Sequence, residues 1–294
     1  MNLSEKLSRL PKPKQEEIAK AMEIIIEVAN PEKVILFGSF AKGKWVDDIT
    51  VEDGVTYHYQ SDFDFLVVTN DNSIKEYELK SKIENRAANS LRGIVNPLVH
   101  SIDYINEGLS IGQYFFKEII EEGILLYDTG NTSFVPPAEL SPVQMLVRAQ
   151  AYFEIWYQMG KDFLIDGNNC IKRGSLRKAM FEFHQAVEHF YASILLVLKG
   201  YKPKSHNVEG LRIYSKHLSD DLFLLLDFSS KNPTERHHLD ALKRGYIDAR
   251  YSKDYKVSME DCVFVEKKVR KMQKIVKEAC LSEMERLEKL IKQE

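Results

Sequence analysis

The amino-acid sequence predicts two domains, a small α+β domain with a mixed sheet over residues 1–130 and an all-α helical bundle over residues 141–294. Three observations support this division. Apolar runs typical of strands alternate with amphipathic helical patterns up to residue 128. Turn-forming residues dominate residues 129–142, which is the composition of a linker. After Pro142 the apolar residues recur at the spacing of helices.

Size and composition agree with two ordinary globular domains. The length of 294 residues exceeds one typical domain, and 44% of the residues are hydrophobic and 29% charged. The formal net charge of −3 gives no general electrostatic reason to bind nucleic acid or an anionic membrane. We therefore expect neither nucleic acid nor membrane as a partner.

Cysteine usage and the N-terminus indicate the compartment. Cys170, Cys262 and Cys280 are scattered, odd in number and without metal-ligand spacing, which is typical of a reducing environment. The chain begins without an apolar signal segment, and no apolar run approaches the length of a membrane span. We expect a cytoplasmic protein.

The first elements are a helix and a short strand. Residues 12–29 place apolar side chains at helical spacing, and Pro11 and Pro13 mark the start of this helix. Residues 33–37 form an apolar run that predicts a strand. The short connection between them is typical of units that alternate helix and strand.

The residues that carry chemistry lie at the ends of two apolar runs. The first run ends in Gly38 and Ser39, and the second opens with Asp62 and Asp64. Because strand side chains alternate between faces, both carboxylates point the same way, and their repulsion favours a cation beside them. Oxygen ligands of this kind suit Mg²⁺. A glycine lets a ligand approach the backbone closely, and a serine offers a hydroxyl and an N–H to a phosphate oxygen. The pattern therefore points to nucleotidyl transfer.

A Gly-Ser turn after a strand, followed by Asp-x-Asp at the next strand, resembles the nucleotidyltransferase superfamily that includes DNA polymerase beta and the kanamycin nucleotidyltransferases. In that family the carboxylates hold two metal ions and the turn holds the phosphates of the nucleotide. The resemblance implies that Asp62 and Asp64 are catalytic and bind Mg²⁺ or Mn²⁺. The residues implied to bind the substrate, a nucleoside triphosphate such as ATP, are Gly38, Ser39, Lys42 and Ser61.

An insertion separates the two motifs. Asp53 and Gly54 stand between two segments rich in β-branched residues, which predicts a hairpin within about residues 44–60. The family's usual spacing here is shorter, so we interpret the hairpin as inserted beside the active site. Either it caps the nucleotide or contacts the acceptor, or it only packs on the sheet through Trp45 and Tyr57.

The next predicted elements are a helix over residues 73–92 and a strand over residues 94–104. The family's third metal carboxylate normally lies on this strand, and the motif alignment places Asn96 at its position. By strand parity His100 shares a face with Asn96, whereas Asp103 faces the other way unless a bulge shifts the register. The third ligand is therefore left open among Asn96, His100 and Asp103.

The rest of the chain reads as helical, apart from an apolar segment over residues 123–128 that closes the first domain. Short connections between the helices favour an antiparallel bundle. The predicted helices span residues 113–122, 143–166, 176–198, 209–217, 221–228, 233–251 and 259–292.

The bundle resembles the HEPN domain of prokaryotes. The likeness is carried by residues 183–191, 199–203, His206 and 249–252. Such bundles often accompany minimal nucleotidyltransferases, and many are ribonucleases that use Arg-x(4–6)-His. The matching arginine is Arg250, and no histidine occurs in residues 251–258. We therefore expect a bundle without ribonuclease activity that walls the nucleotide cleft, binds an acceptor or forms a homodimer.

The sequence thus favours a Mg²⁺-dependent enzyme that moves a nucleoside monophosphate to an acceptor hydroxyl. The acceptor is left open among a protein side chain, a small molecule and an RNA end, with the charge disfavouring long RNA. The first alternative is a non-catalytic nucleotide-binding or regulatory module of a toxin–antitoxin-like system, which the uncertain third ligand supports. The second is a ribonuclease toxin fused to its modifier, which the missing histidine disfavours.

Overall fold

The computed structural model describes residues 3–45, 47–52, 55–70, 75–203 and 205–293. Contacts divide the chain into two compact units, Met1–Glu139 and Leu140–Glu294. The division lies inside the turn-rich segment 129–142 that the sequence predicts as a linker. The fold class is confirmed, since a small mixed sheet with helices precedes a helical region.

A four-stranded mixed sheet organises the first unit, in the order β5-β4-β1-β6. Strand β1 is antiparallel to both β4 and β6, whereas β4 and β5 run parallel. The strands are β1 (Lys33–Phe37), β2 (Asp47–Glu52), β3 (Val55–Gln60), β4 (Phe63–Thr69), β5 (Val95–Ser101) and β6 (Ile124–Asp128), and the helices are α1 (Leu3–Lys6), α2 (Lys12–Ala29), α3 (Gly38–Ala41), α4 (Glu76–Ala88), α5 (Ile102–Ser110) and α6 (Tyr114–Glu122).

The core of this unit lies between the sheet and helices α2 and α4. Phe63, Phe65 and Val67 of β4 are fully buried in one cluster with Ile18 and Ile25 of α2. Because strand side chains alternate, the residue between the two phenylalanines points to the opposite face of the sheet. Asp64 therefore lies on the face of the sheet turned away from α2.

The predicted insertion contains two strands. β2 and β3 pair antiparallel, from Asp47 opposite Gln60 to Glu52 opposite Val55, as a hairpin requires. The predicted turn residues Asp53 and Gly54 lie outside the described residues, as do residues 71–74 at the start of the predicted helix 73–92.

The strand predicted over residues 94–104 is too long. β5 ends at Ser101, whose hydroxyl accepts the N–H of Tyr104 at 3.2 Å and caps α5. The prediction was wrong because the apolar alternation continues through Ile102 and Tyr104, so a helix start looked like more strand. Asp103 consequently lies in the first turn of a helix, where strand parity does not apply.

The second unit is all-α within its described residues. Its longest helix has 33 residues, about 50 Å at the usual rise of roughly 1.5 Å per residue. The central helix, Leu176–Lys199, packs against the helices Gln158–Lys172 and Met259–Ile291. Gly160 and Gly167 leave room for the rings of Phe190 and Phe183. The helices are α7 (Pro142–Tyr152), α8 (Gln158–Lys172), α9 (Leu176–Lys199), α10 (Val208–Ser215), α11 (Asp220–Leu225), α12 (Pro233–Arg244), α13 (Asp248–Tyr251) and α14 (Met259–Ile291), with a π-helical turn (Phe153–Tyr157) joining α7 to α8.

The three cysteines are buried in this unit as free thiols. Burial raises the pKa of the Cys262 and Cys280 thiols to about 12, so both stay protonated near neutral pH. Across the described residues, no helix combines the length and the apolar character needed to cross a membrane.

Candidate active site

The turn after β1 contains a glycine at which any side chain would be strained and would meet a neighbouring carboxylate. Gly38 opens α3 with φ at +72°, a left-handed conformation that favours glycine. A Cβ added there would clash with Asp64 Oδ2 and lie 3.2 Å from Asp64 Cγ. The Gly38 backbone therefore lies directly against the Asp64 carboxylate.

An aromatic cluster holds this turn in place. Phe40 is buried and stacks on Trp45, with 5.5 Å between ring centroids and 4° between ring planes. The Phe40 ring also contacts Phe63 at 4.5 Å. The backbone N–H of Lys44 donates to Ser39 O at 2.9 Å and closes the turn. Since Phe63 stands between the two aspartates in sequence, this packing joins the Gly-Ser turn to the start of β4.

The two predicted catalytic carboxylates sit at the start of β4. Asp62 immediately precedes the strand and Asp64 is its second residue, and both are half-buried. The β1–β4 register pairs Asp64 with Phe37, the residue before the glycine turn. Ser39 and Ser61 beside these groups are 6% and 4% exposed. The structure thus brings Gly38 and Asp64 into contact, and Asp62 lies two residues before Asp64 in the chain.

Asn96 lies beside Asp64 on the neighbouring strand. The parallel register pairs the two residues directly, and Asn96 Nδ2 donates to Asp64 Oδ1 at 2.8 Å. Asn96 is 7% exposed and Asp64 is half-buried, so this hydrogen bond is partly shielded from water. Of the three predicted candidates for the third ligand, Asn96 is the one that the sheet places at the carboxylates.

His100 lies at the other end of the same strand. It pairs with Val68, four residues beyond Asp64, which is about 13 Å along a strand. Its Nδ1 is 3.1 Å from Glu76 Oε1, and its ring contacts Tyr104 at 4.5 Å between centroids. Asp103 lies farther on, in α5. The structure therefore does not place His100 or Asp103 as ligands beside Asp64.

Lys42 makes contacts that the sequence did not predict. Its Nζ contacts Glu118 Oε1 and lies 2.8 Å from Glu122 Oε2, both on α6. Partial burial acts to lower its pKa, but the hydrogen bonds and charges of the two glutamates outweigh this and raise the pKa. The ammonium group thus pairs with α6 in the structure, and the prediction that it binds nucleotide stays a prediction.

A second cluster of polar side chains lies in the helical unit, and the sequence analysis did not predict it. His237, His238 and Asp261 offer ligand atoms within 4.8 Å of one another, of kinds that Zn²⁺ uses. His238 Nδ1 is 2.6 Å from Asp261 Oδ1, whereas Asp261 Oδ2 accepts the Ser258 N–H at 2.8 Å. Asp261 and Ser258 form a capping box, so the start of α14 accounts for the contacts between these two residues. The sequence signal for this role was Ser-x-x-Asp.

The arginine matched to the ribonuclease motif has aromatic neighbours. The Arg250 guanidinium lies 4.4 Å from the Tyr246 ring centroid and 5.3 Å from that of Phe181. The Tyr246 ring also stacks on His206 at 4.4 Å and on His184 at 5.4 Å. His206 Nδ1 is held by Glu188, with 3.0 Å to each carboxylate oxygen.

Comparisons with known families agree with the two units. The family described as Polymerase beta, Nucleotidyltransferase matches residues 19–132, and the HEPN domain family matches residues 153–286. The first match includes the Gly-Ser turn and both aspartates. No curated protein matches the chain. Both resemblances inferred from the motifs are confirmed.

Proposed function

This protein joins a polymerase-beta-type nucleotidyltransferase domain to a HEPN domain, and from that premise we propose that it transfers a nucleoside monophosphate from a nucleoside triphosphate to an acceptor hydroxyl. The contact between the Gly38 backbone and the Asp64 carboxylate is the main support. The Gly38 backbone is suited to contact a phosphate group, and the Asp64 carboxylate is suited to bind a metal ion. Nucleotidyl transfer needs both groups at one site.

The donor set fits Mg²⁺ or Mn²⁺. Asp62 and Asp64 supply carboxylate oxygens, and Asn96 supplies one amide oxygen. The Asn96 amide N–H₂ group is turned to Asp64 Oδ1, while Asp64 Oδ2 faces the Gly38 backbone. When bound, such an ion supplies charge neutralisation for the triphosphate and its leaving group.

The chain's own groups bind and orient the substrate. Gly38 lets a phosphate approach the main chain, and the hydroxyl groups of Ser39 and Ser61 add donors beside the carboxylates. The acceptor oxygen forms a bond to the α-phosphorus while the bond to the β-phosphate oxygen breaks, and pyrophosphate leaves. Because Asn96 has no basic group, the acceptor proton passes to the carboxylate of Asp62 or Asp64.

The acceptor we propose is a protein side chain or a small molecule. The net charge of −3 supports this choice over a long RNA, whose binding depends on positive charge. The same proposal includes a homodimer formed through the helical bundle and a cytoplasmic location, and the three buried free thiols support the location.

A second candidate is a nucleotide-binding module without catalysis, acting in a toxin–antitoxin-like system. The Asn96 amide favours it, because a neutral residue stands beside Asp64 where the family has a carboxylate. This candidate predicts nucleotide binding without pyrophosphate release.

The fate of a radioactive label in the α- or γ-phosphate of the nucleotide distinguishes the transferase from the module without catalysis. The protein is incubated with Mg²⁺ and each nucleoside triphosphate carrying label at the α- or the γ-phosphate, with candidate acceptors or alone. Transfer predicts that α-label enters the acceptor while γ-label appears in pyrophosphate. Retention of both labels in intact nucleotide, together with measurable nucleotide binding, would support the module without catalysis.

A further inference from the structure

Two adjacent histidines of α12 lie against one aspartate of α14 in the helical unit. The ligand atoms of His237, His238 and Asp261 are all within 4.8 Å of one another. His238 Nδ1 is 2.6 Å from Asp261 Oδ1, and His237 Nε2 is 3.4 Å from the same oxygen. Among the described residues, no other trio of histidine, cysteine or acidic side chains lies this close together.

These separations are close to those around a tetrahedral zinc ion. Zn²⁺ lies about 2.0–2.2 Å from histidine nitrogen and carboxylate oxygen atoms, so neighbouring ligand atoms are roughly 3.4 Å apart. The pair of His237 Nε2 and Asp261 Oδ1 already has this separation. The His238 pair would have to open by less than about 1 Å, and the proton of its hydrogen bond would pass to solvent when the ion binds. Small side-chain rotations are therefore sufficient.

The two histidines offer different ring nitrogens to the shared aspartate. Adjacent residues of a helix point about 100° apart, so one of the two must reach back toward a common partner. Buried His238 offers Nδ1, the nitrogen nearer the backbone, whereas His237 offers the more distant Nε2. The His237 side chain is 72% exposed, so its ring can turn at the surface and admit an ion from solvent.

The carboxylate is oriented by its other oxygen. Asp261 Oδ2 accepts the backbone N–H of Ser258 at 2.8 Å and the Ser258 hydroxyl at 2.6 Å. Oδ1 is thereby left for the two histidines, and outer hydrogen bonds of this kind orient metal ligands in proteins. The next residue, Cys262, donates its thiol to Leu176 O at 3.6 Å and does not belong to the cluster.

We propose that His237, His238 and Asp261 bind one Zn²⁺ ion, which joins α12 to the start of α14. Two imidazole nitrogens and one carboxylate oxygen form a donor set that suits zinc better than Mg²⁺. Three protein ligands leave the fourth position for water. This site belongs to the helical unit and does not depend on the proposed transfer activity.

Zinc itself is the probe. The full-length protein, freed of any affinity tag and of metal, is titrated with Zn²⁺ in competition with a chromogenic zinc indicator. The variants His237→Gln and Asp261→Asn each remove one ligand, and His217→Gln is the matched control, because His217 is exposed and lies outside the cluster. The double variant Asp62→Asn/Asp64→Asn identifies zinc that binds to the first unit. Melting temperatures with and without Zn²⁺ test whether the ion joins the two helices.

We expect one tightly bound Zn²⁺ per chain and a melting temperature that rises with zinc, because the ion binds the folded chain. Removing a ligand should weaken this binding at least about tenfold and abolish the rise. His237→Gln is decisive if Asp261→Asn does not fold, since His237 is exposed. His217→Gln and the aspartate double variant should keep both the binding and the rise.

Four results would overturn the proposal. They are no saturable zinc binding by the folded wild type, an unchanged affinity in His237→Gln, loss of the tight binding in the aspartate double variant, and a wild-type melting temperature that does not respond to zinc.

Discussion

Asn96 Nδ2 donates a hydrogen bond of 2.8 Å to Asp64 Oδ1 across two parallel strands, at positions that the register pairs directly. The amide thereby occupies the position next to the carboxylate where a third acidic residue would stand. One neutral neighbour removes charge repulsion from Asp64 and also removes one anionic ligand for a cation. We therefore expect the identity of residue 96 to affect both the stability of the sheet around Asp64 and the affinity for the metal ion of the proposed function.

Replacing Asn96 with aspartate should make the site dependent on divalent cations. Without Mg²⁺ the new carboxylate repels Asp64, and we expect the melting temperature to fall by roughly 3 °C. With Mg²⁺ the loss should be reversed, and pyrophosphate release should rise at least about tenfold because a third anionic ligand is added. Differential scanning calorimetry with and without Mg²⁺ measures the first effect.

Asn96→Leu is the matched control, because it removes the hydrogen bond without adding charge. It should destabilise the protein without Mg²⁺, and because it also removes the proposed amide ligand, adding Mg²⁺ should not reverse that loss. An Asn96→Asp variant whose melting temperature ignored Mg²⁺ would show that residue 96 does not face a cation site.

Gly38→Ala should damage the site more than its backbone strain alone explains. Forcing a Cβ into a left-handed conformation costs about 1–2 kcal/mol, and the clash with Asp64 should add at least about 1 kcal/mol. Nucleotide affinity should fall more than about tenfold, because Asp64 must move. Chemical denaturation and nucleotide titration provide the two measurements.

Gly43→Ala isolates the strain. Gly43 has φ at +67°, yet an added Cβ would meet no described atom within 4 Å. Gly43→Ala should therefore have the same backbone strain as Gly38→Ala, but its nucleotide affinity should equal that of the wild type. Equal affinities for the two alanine variants would mean that the contact between Gly38 and Asp64 has no part in binding.

Lys42→Gln should affect stability more than nucleotide binding. The ammonium group pairs with Glu118 and Glu122, and partly exposed pairs of this kind contribute up to about 1 kcal/mol. We expect the nucleotide affinity to change less than threefold. Lys117→Gln, which removes pairs with Glu121 and Glu139, is the control. A loss of nucleotide affinity beyond tenfold in Lys42→Gln alone would instead assign Lys42 to the phosphates.

His184 should make the helical unit sensitive to acid. It is 1% exposed and its Nδ1 has no hydrogen-bond partner among the described residues, and burial, with the charges of His206 and Arg250, lowers its pKa to about 3. Below the ordinary value of 6.5 the unfolded chain takes up a proton that the folded chain does not. Stability is therefore lost as the pH falls through 6.5, by about 2 kcal/mol between pH 7 and pH 5.

His184→Phe should lose less stability over that interval, whereas the exposed His237→Gln should lose as much as the wild type. Urea denaturation at the two pH values measures the difference. The same loss in His184→Phe as in the wild type would assign the acid sensitivity to other groups.

Local patterns were sufficient for much of the fold. The helix predicted over residues 12–29 and the strand predicted over residues 33–37 coincide with α2 and β1. Both could be predicted because the apolar periodicity and the residues that end each element are local in the sequence. The end of β5 was missed because the Ser101 cap interrupts a pattern that still alternates. The Ser101 hydroxyl group sets the boundary between β5 and α5 by capping the helix.

The site depended on long-range pairing that no local pattern encodes. The motifs identified Gly38 and Asp64, and the alignment placed Asn96, but the contact between Asn96 and Asp64 follows from the parallel register. The ion pairs of Lys42 with Glu118 and Glu122 were not predicted, because these residues on α6 are distant from Lys42 in sequence.

Pyrophosphate release with each nucleoside triphosphate and Mg²⁺ tests the central claim most directly. The wild type is compared with Asp62→Asn/Asp64→Asn and with Asp103→Asn, an acidic residue of α5 outside the site. We predict release by the wild type and by Asp103→Asn, with at least about a hundredfold loss in the double variant. Equal release by all three proteins, or none from a wild type that binds nucleotide and has its acceptor present, would contradict an active site at Asp62 and Asp64.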